Sequence, residues 1–600
     1  MTEFAVWAPG RQRVRVRVDG VDHELRPADG GWWWRADVPG ARADADYAFL
    51  LEGETSGAGA PQDSSGAGAP QGAVPLPDPR SCWQPHGVRG PSRRYDHAAF
   101  GWTDGSWTGR ALPRSVIYEL HIGTFTPGGT FDAAIERLDH LVDLGVDLVE
   151  VMPVNAVDAP RNWGYDGVLW YAVHEPYGGP DGFKRFVDAC HARGLGVVLD
   201  VVWNHLGPSG AYLDRYGPYF AGRNIWGPAL NLHGPGSGEV RRYVIGNALM
   251  WLRDFHVDAL RIDAVHALVD HSTTHLLEEL AALVHALAAS VRRPLTLIAE
   301  SDLNDPRLVM AREAGGYGLH AQWDDDVHHC LHAVLTGERQ GYYADFHPGL
   351  AALARTLRSV FFHDGAWSSF RGRDHGQPVD VSRIPADRFV VSLQNHDQVG
   401  NRAIGDRISA TLPPGLLACG AALLLCSPYT PMLFMGEEWG ASTPFQFFSH
   451  FPDASLREEI RRGRFEEFAE HGWDPAAEVP DPSDERTFLR SRLCWSEAAD
   501  GWHGRLLDCY RSLIALRRTH PELSDPWLPR LAVDYAEAGA DRWVVLHRGS
   551  LAVAVNLAPR AATVPLGRRP TEVLLSWEGA VLGDAAVELG PRDFAVVRAE

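Results

Sequence analysis

Four apolar runs in this chain close on a carboxylate. Asp200 opens DVVWNH, Asp263 closes LRID, Glu300 closes LTLIAE and Asp397 ends LQNHD. His205, His266 and His396 stand beside three of them. Burying several such acids costs several kcal/mol each unless they are paired or protonated. Arg261 lies two residues before Asp263, so on a strand their side chains share a face, and the guanidinium would hold Asp263 ionised. Glu300, partly buried near another carboxylate, is expected to keep its proton. One charged carboxyl and one neutral one supply a nucleophile and an acid, the division of labour that breaking a glycosidic bond needs. Any one of these acids alone would read as a cap for the helix that follows it. Four together, with the histidines, argue for a site.

Such acids converge only if their strands point the same way. From about residue 113 short apolar segments alternate with amphipathic helical patterns. The strands are expected at 116–122, 147–152, 196–202, 259–262, 295–299, 321–323, 389–393 and 432–435, with helices at 130–144, 182–193, 240–255 and 274–290. Eight buried strands separated by helices argue for a (β/α)8 barrel, whose strand ends open into one shared pocket. The Gly-, Pro- and aromatic-rich stretch near 203–245 reads as an excursion on its rim. Before it, Val14, Val16 and Val18 alternate with Arg15 and Arg17 and are followed by Asp19-Gly20, a hairpin signal. After a helix near 505–518 the pattern returns to β. The expected class is therefore a multidomain α/β protein: an N-terminal β-sandwich over 1–90, immunoglobulin-like and similar to carbohydrate-binding modules; a catalytic (β/α)8 barrel over 91–524; and a C-terminal β-sandwich over 525–600. SGAGAPQ at 56–62 recurs at 65–71 and is expected to be a disordered loop without chemistry.

The totals narrow the partners. A net charge of −21 disfavours nucleic acid and is indifferent to a neutral ligand. The 21 Trp and 16 Tyr offer flat faces that suit sugars, although most must be core. Seven scattered Cys without a C-x-x-C pair fit a reducing compartment. The opening MTEFAVWAPG carries no secretory signature, and no apolar run approaches the ~20 residues of a membrane span, so a cytoplasmic protein is expected.

The strand-end motifs resemble the four signature regions of the α-amylase family of glycoside hydrolases: DVVWNH the first, LRIDAVH the second, IAE the third and LQNHDQ the fourth. The resemblance implies that Asp263 is the nucleophile, Glu300 the acid/base and Asp397 the carboxylate that steadies the distorted sugar. It also implies that His205, Arg261 and His396 line that sugar's pocket, that Tyr165 in NWGYD is its aromatic platform, and that Asp200 is structural. NWGYDGV at 162–168, YGGPDGFKRFVDACH at 177–191, QWDDDVHH at 322–329, HDQVGNR at 396–402 and FMGEEWGASTPFQFF at 434–448 narrow the likeness to the trehalose-releasing trehalohydrolases of that family, which act on maltooligosyl trehalose. This adds Asp166, His266, Asp325, Asp326, His328, His329, Gln398 and Asn401 as substrate-binding positions. It also implies retention by double displacement, no cofactor, no metal, and a functional partnership with a maltooligosyltrehalose synthase. His328 and His329 read equally well as solvated residues at a helix start, while Phe361 and Phe362, just before a Gly-rich loop, could border the product subsites but read sooner as core. Cys494 departs from the pattern, which has Asp there.

Three rivals remain at this level. An α-glucan branching enzyme shares the domain order and the acids. A metal-dependent barrel hydrolase would need an H-x-H pair, whereas the first strand offers His121 alone. A non-catalytic glucan-binding protein would not need the intact trio.

Overall fold

The computed structural model describes residues 3–53, 74–347, 349–470 and 479–600; the duplicated segment at 56–71 lies outside the described residues. Eight parallel strands close into a barrel: β1 (Ile117–Leu120), β2 (Leu148–Val151), β3 (Gly196–Val201), β4 (Ala259–Ile262), β5 (Thr296–Ala299), β6 (Ala321–Trp323), β7 (Phe389–Ser392) and β8 (Thr430–Phe434), with β8 pairing back onto β1. All eight stand where the apolar runs place them, β8 starting two residues earlier than expected. Their residues are buried throughout, which explains why they read as continuous apolar runs without alternation.

Caps set where the helices begin and stop. The pattern at 130–144 yields two helices, Phe131–Ile135 and Leu138–Leu144. The Thr130 side chain accepts the Ala133 N–H at the first start, and Gly145, at φ 96°, ends the second. Asn395 caps the short helix His396–Gly400 by accepting the Gln398 N–H, and Asp324 caps Asp325–Thr336 by accepting that of Asp326. Both capped turns follow barrel strands directly, so they deliver His396, Asp397 and Asp325 to the open end of the barrel.

Antiparallel sheets flank the barrel on both sides. The N-terminal part has one sheet of Glu3–Trp7, Trp33–Asp37 and Arg26–Ala28, and a second built on Arg13–Val18, Val21–Glu24 and Asp46–Glu52. The C-terminal part has a five-stranded sheet running from Leu531–Ala538 to Asp593–Ala599 and Pro570–Ser576, and a three-stranded one. The excursion after β3 contains the helix Leu213–Tyr216 and the hairpin Phe220–Asn224 with Gly227–Leu230. It rests on the N-terminal part: Tyr219 meets Trp7 edge-on at 5.0 Å, and the Tyr216 hydroxyl donates to the Pro77 carbonyl at 2.7 Å.

Candidate active site

Asp263 sits one residue beyond the end of β4, beneath two donors. Arg261 Nη1 reaches Asp263 Oδ1 at 2.6 Å, and Asn204 Nδ2 reaches Oδ2 at 2.7 Å. A guanidinium and an amide facing separate oxygens suit a carboxylate anion. The same Arg261 Nη1 contacts both oxygens of Asp200, at 3.0 and 2.9 Å, and its guanidinium lies over the Trp323 ring, 4.3 Å from the centroid. Arg261 is wholly buried. The pairing with Asp263 is the one the Arg-x-Asp spacing implied; the second acid, Asp200, comes from the neighbouring strand.

Glu300, at the end of β5, is in a different setting. Burial pushes its carboxyl up to about 8 against the pull of Arg261, with Asp263, Asp325 and Asp397 raising it further. Its Oε2 accepts the backbone N–H of Ala264 at 2.6 Å. Ala264 holds the left-handed conformation, at φ 40°, which a residue with a Cβ rarely adopts, and this aims that N–H across to the neighbouring strand. With Oε2 taken by a donor, the proton is left to Oε1.

Asp397 follows β7 and keeps 42% of its side chain exposed, more than either partner in the trio. Burial raises its carboxyl, but His396 outweighs this and holds it down at about 2, helped by Arg261 and Asn401. His396 Nε2 is 3.3 Å from Asp397 Oδ2, and Asn401 Nδ2 donates to Oδ1 at 3.3 Å. The Tyr165 ring stacks on His396 at 5.0 Å, and its hydroxyl donates to Asp200 Oδ2 at 2.6 Å. His205 hydrogen-bonds the Tyr165 carbonyl through Nε2 at 2.9 Å and the Asn204 side chain through Nδ1. Burial lifts Asp200 to about 6 while Arg261 pulls it down.

The remaining sequence-derived positions divide. His266 faces Asp302 at 3.8 Å, and Gln398 accepts the Tyr342 hydroxyl at 3.3 Å. Asp325 is raised by burial, with His329 drawing it down. Three others are built into the wall. Asp166 accepts from Asn162 at 2.6 Å and from Ser449 at 3.3 Å. Asp326 Oδ2 accepts from Asn304 Nδ2 and from the backbone N–H groups of Phe362 and His363, at 2.8–2.9 Å. His328 pairs with the Tyr343 hydroxyl at 3.2 Å. The rings of His328 and His329 are buried, so the solvated alternative fails for both. Phe361 is core, whereas Phe362 is only partly buried.

Sequence reasoning missed Glu119, Asn204 and Trp226. Glu119, inside β1, contacts His396, and Trp226 on the excursion hairpin stacks on His205 at 5.7 Å. An acid in the middle of the run VIYEL was the available signal for the first. Nothing in the spacing marked the second or third. Among the described residues, no cluster of three His, Cys, Asp or Glu is arranged to hold a metal.

A closed parallel barrel that gathers a paired aspartate, a raised glutamic acid and a histidine-bound aspartate at one end defines a glycoside hydrolase of the α-amylase type. The family model for the alpha-amylase catalytic domain matches residues 85–218, and a domain of unknown function matches 526–596. The chain is 54% identical, over 100% of its length and 99% of the relative's, to a malto-oligosyltrehalose trehalohydrolase of Mycobacterium tuberculosis. It is 53% identical, over 100% and 99%, to one from Arthrobacter ramosus. A Salmonella typhimurium crystal structure assigned as an alpha amylase superposes with a TM-score of 0.87 at 37% identity, covering 100% of this chain and 97% of that one. A 1,4-alpha-glucan branching enzyme of Vibrio parahaemolyticus is 33% identical over only 45% of this chain and 37% of its own. The chain belongs to the malto-oligosyltrehalose trehalohydrolase family. Among the described residues, no helix is long and apolar enough to cross a membrane.

Proposed function

We propose that this glycoside hydrolase cleaves the α-1,4 bond next to the trehalose end of maltooligosyl trehalose and releases trehalose with retention. The observation that carries the chemistry is the contrast between Asp263, held by Arg261 and Asn204, and Glu300, lifted to about 8. Glu300 donates its proton from Oε1 to the leaving trehalose oxygen while Asp263 attacks the anomeric carbon. The C–O bond to trehalose breaks, and an ester to Asp263 forms. The glutamate, now ionised, takes a proton from water, whose oxygen displaces Asp263 and regenerates both carboxyls. Asp397 receives hydroxyls of the flattened sugar, and Tyr165 with His205 forms the floor and wall of its pocket.

The substrate assignment draws on likeness to relatives of that name over the full chain. The other positions assigned to substrate are His266, Asp325, His329, Gln398 and Asn401, while Asp166, Asp326 and His328 shape the wall from behind. A substrate capped by a 1,1-linked glucose must be supplied by an enzyme that isomerises the reducing end of a maltooligosaccharide, hence a synthase as functional partner. The test is the product profile on trehalose-capped maltopentaose against plain maltopentaose. Trehalose from the capped substrate is expected. New α-1,6 branches without trehalose would instead identify a branching enzyme, in which a sugar hydroxyl resolves the ester.

A further inference from the structure

Two acids on the inward face of the barrel lie below the cleft, and the reaction described above uses neither. Glu119 of β1 and Glu150 of β2 are directly opposite each other in the parallel register, and both are sealed from solvent. Their surroundings differ. Glu119 Oε1 lies 2.5 Å from His396 Nδ1, and Oε2 accepts the His396 backbone N–H at 2.9 Å. Neither oxygen of Glu150 has a hydrogen-bond partner; burial, then the charges of Glu119 and Asp200, raise it far above the ordinary carboxylic range. Glu150 is thus the neutral member of the pair. Glu119 faces the His396 backbone N–H at Oε2 and the ring Nδ1 at Oε1, so both its oxygens are placed to accept, as a carboxylate's do.

His396 is met from every side. β1 brings Glu119, β2 brings Glu150, β3 brings Asp200, the segment after β2 brings the Tyr165 hydroxyl at 2.7 Å, and its own helix brings Asp397. Arg261 of β4 is engaged by Asp200 and Asp263, and His121 after β1 is held neutral by burial. The rings of Trp163 and Trp323, 5.8 and 6.0 Å away, carry no charge. Burial by itself would strip the proton from such a ring, yet Asp397 and Glu119 outweigh it and raise His396 well above the ordinary histidine range.

We propose that Glu119 is a positioning residue for the reaction: by accepting the backbone N–H and the ring Nδ1–H of His396, it fixes the ring as an imidazolium whose Nε2–H faces the Tyr165 hydroxyl at 2.7 Å and Asp397 at 3.3 Å, and so keeps Asp397 the anion that receives the sugar hydroxyls. This rests on the reading of Asp397 given above. Glu119 touches no substrate; it acts through His396. A neutral ring in its place would leave Asp397 facing the developing charge without the partner that orients it.

The test is the pH profile of kcat/KM for Glu119→Gln, which keeps shape and an acceptor but removes the charge. With one of its two carboxylate partners uncharged, His396 is expected to become the first group to lose its proton, so that the descending alkaline limb begins about 1 pH unit or more below the value near 8 that Glu300 sets in the wild type. The loss is expected in kcat more than in KM. In a His396→Gln background, Glu119→Gln should shift nothing further. A Glu119→Gln profile that overlays the wild type, or a shift that persists without His396, overturns the proposal. Should Glu119→Gln fail to fold, the wild type answers through 15N-histidine NMR, with the His396 signal assigned by its loss in His396→Gln. It should remain doubly protonated through the range near 8 in which Glu300 ionises, and titration close to the ordinary ~6.5 overturns the idea. Profiles are taken on whichever capped or plain maltooligosaccharide the wild type turns over. The wild-type products then judge the substrate assignment, and the variant's profile judges Glu119.

Discussion

The proposed acid and the proposed nucleophile are both carboxyls, so what separates them is their neighbours. Glu300 is lifted to about 8 first by burial, and an acid must hold its proton at rest, so turnover is expected to fall as pH rises through about 8. Glu300→Gln, measured across pH on the cleaved glucan, should lower kcat by about 10²- to 10⁴-fold and abolish that limb. The sign for stability is the same. A carboxyl raised above its ordinary 4.5 favours the fold at low pH and withdraws that support as pH climbs toward about 8. Arg261 is the opposite case, a buried cation with two aspartates on it. Arg261→Ala leaves Asp200 and Asp263 without a counterion and is expected to cost about 3–5 kcal/mol in urea unfolding, with activity lost. Arg261→Lys should retain part of the stability and little of the activity, because an ammonium cannot reproduce the guanidinium's contacts with both acids. The trio and Arg261 were legible because each ends an apolar run or stands two residues from one that does. Glu119 was not, because an acid in mid-strand gives no sign of which distant residue will complete it. Asn204 was not, because an amide among motif residues carries no charge to explain.

At the scale of elements, the barrel was readable wherever strands are buried on both faces, and blurred where exposed polar residues enter. Leu531–Ala538 escaped notice because Asp534 and Glu537 interrupt its apolar pattern and three of its residues are small alanines, although it pairs with Asp541–Arg548 along its whole length. The helix expected over 130–144 divides at Glu136 and Arg137, a break that periodicity does not record. The excursion after β3 was recognised by composition, but it reaches the cleft through a contact the composition does not show. Asn224 of its hairpin donates to the Asn204 carbonyl at 2.7 Å and accepts the Trp226 N–H at 2.9 Å, which places the Trp226 ring on His205. Trp226 remains 44% exposed, so it contributes little to folding and is free to meet a sugar. Trp226→Ala is expected to raise KM by about 2- to 12-fold, the equivalent of the ~0.5–1.5 kcal/mol of an aromatic pair, with the melting temperature nearly unchanged. An unaltered KM would remove Trp226 from the substrate path.

Across the whole molecule, the flanking sheets do unequal work. The C-terminal sheet covers the helix Pro414–Leu425, whose apolar residues are buried all round. Arg517 ties the junction by donating to the carbonyls of Leu425, Ser427, Leu523 and Tyr429 at 2.6–3.3 Å. That sheet therefore shields a barrel helix and stands apart from the chemistry. The N-terminal sheet instead reaches the chemistry through the excursion. Trp7 packs on Tyr219, and Gly217 passes so close that an added Cβ would lie 3.0 Å from both Trp7 and Pro9. A Cβ there would force Trp7 or Pro9 to give by a few tenths of an ångström and a larger side chain would force more, and the hairpin that carries Asn224 and Trp226 begins three residues later. Gly217→Val should lift the excursion from its support while leaving Asp263, Glu300 and Asp397 in place. The expected signature is faster proteolytic cleavage within 207–238 and a raised KM, with kcat changed far less because the three carboxyls proposed to do the chemistry sit on the barrel. A variant that loses kcat with KM intact would mean that the N-terminal sheet acts on the barrel itself.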